Sequence, residues 1–340
     1  MRAMILAAGV GSRLDPLTRE LPKPMVPVAN RPVMEYLLEL LAAHGFTELW
    51  VNLHYLGEKI ALHFGDGSAF GVQIHWEPEA QLYGDAGSLK RAAGFFGEGQ
   101  VLVIGGDDLT DLNLTEFLAH HLSEDADATI ALSPVEETSQ YGVAVLDERG
   151  VVTGFQEKAP LAEAKSKLAN TGIYLFRSSV LDLIPDEGAP LLGRFLLPEI
   201  LSRGLKLCGF KTDAYWRDVG DLEIYRQSQS DLLRGRMECR LPVAETSAGV
   251  RIARSARVSA GARIGPPVLI GENCVVAEGA SVGPDAVLGD ACRIEAGASV
   301  ADSVLWPGVT VAEGVRLEGC AVGSGARVTS SQLGEILAGA

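Results

Sequence analysis

An apolar residue occupies every sixth position over much of the C-terminal third of this chain. The register is unbroken at ten positions: Ile252, Val258, Ile264, Ile270, Val276, Val282, Leu288, Ile294, Val300 and Trp306. Gly261, Gly279 and Gly297 repeat every eighteen residues, each three residues before an apolar position. Three six-residue sides therefore form one turn of a coil, with apolar residues pointing inward and glycines at corners that a Cβ would resist. An ordinary sandwich would show less regular strands, spaced by about 8 to 12 residues.

This segment resembles the hexapeptide-repeat, left-handed β-helix family, and its length predicts roughly four to five coils. The composition changes with the repeat: glycine rises from 24 of the first 244 residues to 15 of the last 96, and lysine disappears. We therefore assign residues 245–333 to a β-helix domain. Many enzymes with such coils are acyltransferases that use a histidine at the coil surface. Because all six histidines lie between His44 and His121, we expect no such activity in the coil.

Residues 1–238 show a different pattern, in which strand-length apolar runs alternate with helix-like stretches. The predicted strands include Met4 to Ala8, Leu49 to Leu53, Val101 to Ile104 and Ile173 to Phe176. The predicted helices include Pro32 to His44, Ala86 to Phe95, Leu114 to Leu122 and Leu222 to Leu233. This alternation is typical of an α/β domain with a Rossmann-like, mostly parallel sheet. Its ligand site is expected at the carboxyl ends of the strands.

Composition excludes several classes of function. The 340 residues carry a formal net charge of −15, which argues against a nucleic-acid or anionic-membrane partner. No apolar run approaches the roughly 20 residues that a membrane-spanning helix needs. The five cysteines are odd in number and include no C-x-x-C pair, which fits neither a disulfide framework nor a zinc site. A cytoplasmic location is the simplest interpretation.

The densest chemical signal is the opening stretch Leu6-Ala7-Ala8-Gly9-Val10-Gly11-Ser12-Arg13, followed by Leu21-Pro22-Lys23-Pro24. A strand that enters a glycine loop lets backbone amides approach a phosphate, and Arg13 adds a forked cation. The prolines on both sides of Lys23 keep that segment extended. Leucine at position 14 removes the third glycine of the dinucleotide fingerprint, and no P-loop motif follows.

A second signal is a buried strand that ends in Gly105-Gly106-Asp107-Asp108. Carboxylates at that edge can hold Mg²⁺, which commonly binds through one or two carboxylates together with phosphates. Asp107 and Asp108 are therefore candidate metal ligands, and because side-chain alternation turns Asp108 away from Asp107, we prefer a structural role for Asp108.

Taken together, these segments resemble the sugar-1-phosphate nucleotidyltransferases, also called nucleotide-diphosphate-sugar pyrophosphorylases. The resemblance implies that the opening loop holds a nucleoside triphosphate, with Arg13 and Lys23 on its phosphates. It also identifies Asp218, in Trp216-Arg217-Asp218-Val219-Gly220, as the second metal carboxylate. In isolation Asp218 fits equally well as the cap of the helix that follows. The implied catalytic residues are Arg13, Lys23, Asp107 and Asp218, and the implied nucleotide-binding residues are Leu6, Ala8, Gly9, Gly11, Ser12, Arg13, Lys23, Gln81, Gly84 and Gly106.

Two further groups of segments match the family. Gly84-Asp85-Ala86-Gly87 is similar to the segment that opens a helix near the base, and Asp85 is also a candidate helix cap. The segments that surround the sugar phosphate in the family imply roles for Tyr141, Gly142, Glu157, Lys158, Asn170 and Gly172. Glu157 can accept hydrogen bonds from sugar hydroxyls, whereas the ammonium of Lys158 can meet the phosphate.

The segments look most like those of mannose-1-phosphate guanylyltransferases with a β-helix tail, which implies GTP, mannose 1-phosphate and GDP-mannose. Glucose-1-phosphate thymidylyl- and uridylyltransferases share nearly all of them and remain an alternative. A non-catalytic regulatory subunit that binds nucleotide sugars is an alternative of another class, although such a subunit would be expected to lose the cations or carboxylates present here. A homo-oligomer assembled through the β-helix is the expected quaternary structure.

Overall fold

A computed structural model describes all 340 residues, Met1–Ala340, which form two compact units. The first unit comprises Met1–Gly9 and Leu37–Trp216, and the second comprises Val10–Tyr36 and Arg217–Ala340. The opening loop therefore belongs to the same unit as the C-terminal repeat. The sequence-based boundaries, 1–238 and 245–333, remain a prediction about domains. No helix is both long and apolar enough to span a membrane.

The first unit is built on a nine-stranded sheet. Its strands are β1 (Arg2–Ala7), β4 (Glu48–Leu53), β5 (Gln73–Pro78), β6 (Gln100–Gly105), β8 (Ala128–Pro134), β9 (Gly142–Leu146), β10 (Val152–Glu157), β11 (Leu168–Arg177) and β12 (Leu207–Lys211). Its helices are α2 (Gly57–Phe64), α3 (Asp85–Arg91), α4 (Ala93–Phe96), α5 (Leu114–Ser123) and α6 (Leu197–Ser202). Two short strands, β7 (Asp108–Thr110) and β13 (Trp216–Asp218), and the helix α1 (Val33–Ala43) complete this part of the chain.

The sheet is parallel through the order β5-β4-β1-β6, which confirms the parallel-rich sheet inferred from the sequence. Beyond β6 the strand β11 runs antiparallel to β6, β8 and β9. Because β1 and β6 are parallel neighbours, their carboxyl ends lie at the same edge of the sheet. Gly106 N donates a 2.9 Å hydrogen bond to Leu6 O there, so both predicted segments reach one edge.

The second unit contains the hairpin β2 (Pro27–Val28) and β3 (Arg31–Pro32), the helix α7 (Leu222–Leu233) and a parallel β-helix. Short strands stack into three sheets along the coil axis, one strand per sheet in each turn. The strands are β14 (Glu245–Ser247), β15 (Val250–Ile252), β16 (Arg257–Val258), β17 (Arg263–Ile264), β18 (Val268–Ile270), β19 (Val275–Val276), β20 (Ser281–Val282), β21 (Ala286–Leu288), β22 (Arg293–Ile294), β23 (Ser299–Ala301), β24 (Val304–Leu305), β25 (Thr310–Val311), β26 (Arg316–Glu318), β27 (Ala321–Val322), β28 (Arg327–Val328), β29 (Gln332–Leu333) and β30 (Ile336–Leu337). The hexapeptide repeat therefore forms the coil that the periodicity predicts.

The ladder departs from the predicted register at one residue. Ile270 pairs with Leu288, eighteen residues on, whereas Leu288 pairs with Leu305 after only seventeen. Leu305 is therefore the residue that enters the apolar core of the coil. The prediction that Trp306 points inward is wrong, because the coil is one residue shorter at this turn.

The predicted corner glycines behave in two ways. Gly279 and Gly297 have φ values of 73° and 67°, a left-handed conformation that side chains with a Cβ rarely adopt. Gly261 does not share this conformation, and the carboxylate of Glu278 occupies the space that its Cβ would fill. Backbone conformation therefore favours glycine at two of these corners, whereas at the third a Cβ would have to displace the flexible carboxylate of Glu278.

A buried histidine makes the stability of the first unit depend on pH. His121 is 1% exposed; its Nδ1 lies 2.7 Å from Thr129 Oγ1 and its Nε2 lies 2.7 Å from Gln100 Oε1. Burial, followed by the charge of Arg177, lowers the pKa of His121 to about 4. An unfolded histidine has a pKa near 6.5, so the unfolded chain binds this proton first as pH falls.

We therefore expect the free energy of unfolding to be highest above about pH 6.5 and to fall between about pH 6.5 and 4, by at most about 3 kcal/mol from this residue. Urea denaturation of the wild type and of His121→Gln at several pH values tests this expectation. The variant should lose part of the dependence on pH. Equal dependence in both proteins would assign the effect to other groups.

Candidate functional site

Three of the predicted site residues come together within the second unit. Lys23 Nζ lies 2.7 Å from Asp218 Oδ1, and Arg13 Nη2 lies 3.8 Å from Asp218 Oδ2. Lys23 is only 9% exposed, whereas 63% of the Arg13 side chain is exposed. A buried ammonium is costly without a carboxylate partner, so Asp218 stabilises Lys23 in this position. Arg13 presents its guanidinium to solvent beside this pair.

Close packing holds the opening loop in its conformation. Gly11 has a φ of 71°, and a Cβ there would lie 3.2 Å from Lys23 Cβ. Gly11 O accepts a 2.9 Å hydrogen bond from Thr18 Oγ1, and Ser12–Leu14 form a 3₁₀ turn. The sequence predicted this glycine because a backbone must approach a ligand closely, and the structure shows that it also lies against Lys23.

The helix α7 is capped by Asp221 and not by Asp218. Asp221 Oδ1 accepts a 2.9 Å hydrogen bond from Ile224 N, which is the arrangement of an N-cap. Asp218 is therefore not the cap, which removes the structural alternative considered for it. A Cβ on Gly220 would come within 2.8 Å of Arg13 Nη2, so glycine at this position leaves space for the guanidinium.

In the first unit, the ends of β1 and β6 bring together the other predicted residues of the nucleotide site. Leu6 is half-buried in β1, Ala8 is buried, and nothing lies within 4 Å of a Cβ built on Gly9. Gly106 is buried and bonded to Leu6 O, and Asp107 follows it in a half-buried turn. A Cβ on Gly105 would lie 3.0 Å from Asp107 Oδ1. Asp107 therefore lies at the carboxyl edge of the sheet, as the sequence predicts.

The buried carboxylate of Asp108 accepts hydrogen bonds from two half-buried donors. Its Oδ2 accepts a 3.1 Å hydrogen bond from Gly105 N, and its Oδ1 accepts a 3.2 Å hydrogen bond from Trp216 Nε1. The Trp216 ring lies 5.5 Å from the ring of Tyr141. Asp108 thus holds the turn that carries Asp107, and this agrees with the structural role expected for it.

The predicted sugar-phosphate residues lie around the start of β9 and the end of β10. Gly142 pairs with Glu157, and a Cβ on Gly142 would come within 2.9 Å of Glu157 Oε2. Lys158 N donates to Tyr141 O at 3.0 Å, and both Glu157 and Lys158 are exposed. These four residues form one group with exposed side-chain charges of both signs.

Asn170 and Gly172 lie on the neighbouring strand β11, which pairs with β9 at Ala169 and Val143. Asn170 Nδ2 donates to the Tyr174 hydroxyl at 3.0 Å, and Asn170 Oδ1 accepts from Gly172 N at 3.0 Å. The Asn170 amide is therefore oriented by two partners on its own strand.

The segment predicted near the base differs from expectation at Asp85. Gly84 is the N-cap residue of α3, and Asp85 is its first helical residue, so the prediction that Asp85 caps the helix is wrong. Asp85 Oδ1 instead accepts hydrogen bonds from Leu192 N at 2.6 Å and Ala86 N at 2.8 Å. Burial raises the pKa of this carboxyl. Gln81 is exposed before this helix.

Sequence reasoning missed a buried polar cluster of Asn52, Glu79 and Ser88. Asn52 Oδ1 accepts from Ala7 N at 3.0 Å, and Asn52 Nδ2 donates to Glu79 Oε1 at 3.0 Å. Ser88 Oγ donates to the same Glu79 oxygen at 2.5 Å, while Glu79 Oε2 is buried without a hydrogen-bond partner. The cluster connects the end of β1 to α3. The available signal was a polar Asn52 inside an apolar strand.

No group of three or more His, Cys, Asp or Glu side chains could hold a metal ion. The carboxylates predicted to hold a metal are Asp107, which belongs to the first unit, and Asp218, which belongs to the second. Asp218 Oδ1 is engaged by Lys23, but its Oδ2 is less closely paired and 43% of its side chain is exposed. Such oxygens suit Mg²⁺ when substrate phosphates supply the remaining ligands.

Comparisons with known proteins identify two families along the chain. A family model described as nucleotidyl transferase matches residues 2–235, and one described as a GlmU-like C-terminal hexapeptide matches residues 266–335. The chain is 37% identical over 308 residues to a UTP–glucose-1-phosphate uridylyltransferase of Synechocystis, covering 81% of this chain and 79% of that protein.

Two other relatives carry different names. A mannose-1-phosphate guanylyltransferase of Mycobacterium tuberculosis is 34% identical over 234 residues, covering 68% of this chain and 65% of that protein. A crystal structure of a candidate glucose-1-phosphate thymidylyltransferase from Bacillus anthracis, in complex with sucrose, matches with a TM-score of 0.61 and 26% identity. That match covers 67% of this chain and 94% of the other.

Replacing Asp108 with alanine leaves two half-buried donors, Gly105 N and Trp216 Nε1, without their acceptor. We expect Asp108→Ala to lower the free energy of unfolding by about 2 kcal/mol, since an unsatisfied buried group costs about 1–3 kcal/mol and these donors are only half-buried. Urea denaturation measures the loss. The control is Asp186→Ala, whose side chain is 91% exposed and whose change should stay within about 0.5 kcal/mol. A similar small loss for Asp108→Ala would refute its role in holding the turn.

Proposed function

This chain belongs to the nucleotidyl transferase family, and we propose that it transfers a nucleotidyl group from a nucleoside triphosphate to a sugar 1-phosphate. The products are a nucleotide sugar and pyrophosphate. The observation that carries the proposal is the Lys23–Asp218 pair with Arg13 beside it. Three charged residues from two motifs meet there, although 195 positions separate Lys23 from Asp218.

The reaction needs no nucleophile from the protein. A phosphate oxygen of the sugar 1-phosphate attacks the α-phosphorus, the bond from that phosphorus to the bridging oxygen breaks, and pyrophosphate leaves with the electron pair. The attacking phosphate is already anionic near neutral pH, so positioning and charge neutralisation carry most of the catalysis. Arg13 and Lys23 bind the triphosphate and stabilise charge that develops on it. Lys158 and Glu157 bind the phosphate and the hydroxyls of the sugar.

We propose that Asp107 and Asp218 are the residues that hold Mg²⁺. The bound ion would neutralise phosphate charge and orient the triphosphate. When the triphosphate binds, Lys23 exchanges its carboxylate partner for a phosphate oxygen, which leaves Asp218 free to act as a ligand. The hydrogen bonds that Asp108 accepts from Gly105 N and Trp216 Nε1 keep the neighbouring carboxylate, Asp107, at the end of its strand.

We propose GTP and mannose 1-phosphate as the substrate pair, on the segments that resemble mannose-1-phosphate guanylyltransferases. UTP or dTTP with glucose 1-phosphate is the second candidate, favoured by the 37% identity to the Synechocystis uridylyltransferase. A few hydrogen bonds to the base and sugar decide such a preference.

The first experiment measures pyrophosphate release with Mg²⁺ for GTP, dTTP, UTP, ATP and CTP against mannose, glucose, galactose and N-acetylglucosamine 1-phosphates. Release with GTP and mannose 1-phosphate alone would support the proposed pair. Another productive pair would keep the reaction and correct the substrate. No release from folded protein would favour a regulatory subunit.

We further propose that the chain forms a homo-oligomer through its β-helix and resides in the cytoplasm. The exposed outer residues of the coil and its match to a hexapeptide family support assembly. None of the five cysteines forms a disulfide and four of them are buried, as suits a reducing compartment. Light scattering of the full chain tests the assembly, because a monomer has a mass of 36.0 kDa.

Replacing either metal carboxylate with its amide should remove activity and preserve the fold. We expect Asp107→Asn and Asp218→Asn each to lower turnover by about 100-fold or more, because the amide is a much weaker ligand for the cation. The control is Asp213→Asn, an exposed carboxylate five residues before Asp218, which should retain wild-type turnover. A variant at position 107 or 218 with near-normal turnover would exclude that residue from the site.

A further inference from the structure

Trp306 lies at a corner of the coil where the neighbouring turns carry glycine. Gly271 N donates to Leu288 O, Gly289 N to Leu305 O, and Trp306 N to Val322 O, so the three residues occupy equivalent positions in successive turns. Gly323 continues the column. A Cβ on Gly289 would lie 2.8 Å from the Trp306 carbonyl carbon, because backbone stacks on backbone at this corner. One turn of the coil therefore carries the largest side chain at a position where three turns carry glycine and the first turn carries only the methyl group of Ala253.

The Trp306 side chain lies outside the core of the coil and is still only 5% exposed. Its Nε1 donates a 2.9 Å hydrogen bond to the hydroxyl of Tyr225, a residue of α7 that is completely buried. The coil also meets α7 through Arg226, which donates to Gly319 O at 2.8 Å and pairs with Asp302 at 3.3 Å. Trp306 is thus one part of a broader contact between α7 and the coil.

From α7 the hydrogen bonds continue to the hairpin that follows Lys23. The Tyr225 hydroxyl donates to Pro27 O at 2.7 Å, and Gln229 Nε2 donates to the same oxygen at 3.0 Å. Burial raises the pKa of the Tyr225 hydroxyl, so it keeps the proton that it donates. A continuous path therefore runs from Trp306 through Tyr225 to the backbone of Pro27.

The turn of this hairpin also depends on α7 and the coil. Ala29 and Asn30 have φ values of 47° and 64°, which residues with a Cβ adopt uncommonly. Ala29 N donates to Gln229 Oε1 at 2.6 Å, and Asn30 Nδ2 donates to Leu288 O at 2.8 Å. Side chains of α7 and a carbonyl of the coil thus maintain the turn.

The short segment between Lys23 and Pro27 is held by backbone hydrogen bonds. Met25 N donates to Pro22 O at 2.8 Å, and Val26 N donates to Lys23 O at 3.1 Å. Residues 22–26 are buried. A change in the position of Pro27 therefore also changes the position of Lys23.

We propose that Trp306 and Tyr225 are positioning residues for the nucleoside triphosphate, because together they fix the segment that presents Lys23. The β-helix then contributes to nucleotide binding in addition to any role in assembly. This inference rests on the proposed function, in which Lys23 contacts the triphosphate. Neither residue touches the substrate; each acts through the backbone of Pro27.

The test uses the full chain and two variants: Tyr225→Phe, which removes the hydroxyl, and Trp306→Phe, which removes the indole N–H together with part of the ring. We expect KM for the productive nucleoside triphosphate to rise about three- to tenfold in each, as loss of one buried hydrogen bond permits. KM for the sugar 1-phosphate should stay at the wild-type value. The double variant should resemble Tyr225→Phe, because both substitutions interrupt one path.

The matched control is Arg234→Gln, which breaks the exposed ion pair with Asp285 between the end of α7 and the coil. This variant should keep the wild-type KM for the triphosphate. Amide hydrogen exchange gives a readout that does not need activity: residues 22–32 should exchange faster in Trp306→Phe and Tyr225→Phe than in Arg234→Gln.

The two readouts separate this inference from the proposed function. If the wild type releases no pyrophosphate, the function fails, and exchange in residues 22–32 still decides whether Trp306 fixes this segment. Unchanged KM values and unchanged exchange in both variants would overturn the inference. So would an equal rise in KM for both substrates, or an effect of Arg234→Gln as large as that of Trp306→Phe, because either result indicates a general loss of packing.

Discussion

The buried ammonium of Lys23 imposes the central constraint on the second unit. A charged group that is 9% exposed must have an opposite charge within hydrogen-bond distance, and Asp218 supplies it at 2.7 Å. This pair joins the opening segment to a stretch of chain almost two hundred residues later. The compact unit formed by Val10–Tyr36 and Arg217–Ala340 is consistent with this link.

The β-helix adds buried apolar area to the second unit, because one of its three sheets is apolar on both faces. Leu269, Val287 and Val304 alternate with the residues of the coil core and are nevertheless buried. Burial of such a column stabilises the folded chain in proportion to the apolar area removed from water. Apolar contacts alone would not fix the position of α7 along the coil, since successive turns of a regular coil look alike. Trp306 breaks that equivalence, because one indole N–H can meet the Tyr225 hydroxyl at only one turn.

Sequence patterns predicted the elements whose periodicity is strong and the residues that lie in motifs. The six-residue repeat defined the coil, and the apolar runs defined β1, β4, β6 and β11 to within a few residues. The sequence did not predict the seventeen-residue turn, because Leu305 and Trp306 are both apolar and either satisfies the repeat. Only the pairing of β21 with β24 distinguishes them. Asp85 was misassigned as a cap for a similar reason: Gly84 caps the helix, and the partner of Asp85 is Leu192 N, which is 107 positions away. Contacts between distant segments leave little trace in one sequence.

Because the molecule is negatively charged overall, binding of anionic substrates depends on a few cations placed at the site. A chain with a formal net charge of −15 repels phosphates at long range, so attraction must come from groups placed at the site. Lys23 is neutralised by Asp218 until a ligand arrives, and this leaves Arg13 as the exposed positive charge beside the pair. On the proposed mechanism, a triphosphate with its cation satisfies both members of the pair at once, because phosphate oxygens receive Lys23 while the cation receives Asp218. A triphosphate without the cation would leave Asp218 with Arg13, at 3.8 Å, as its neighbouring positive charge, so the arrangement favours binding of the triphosphate and the cation together.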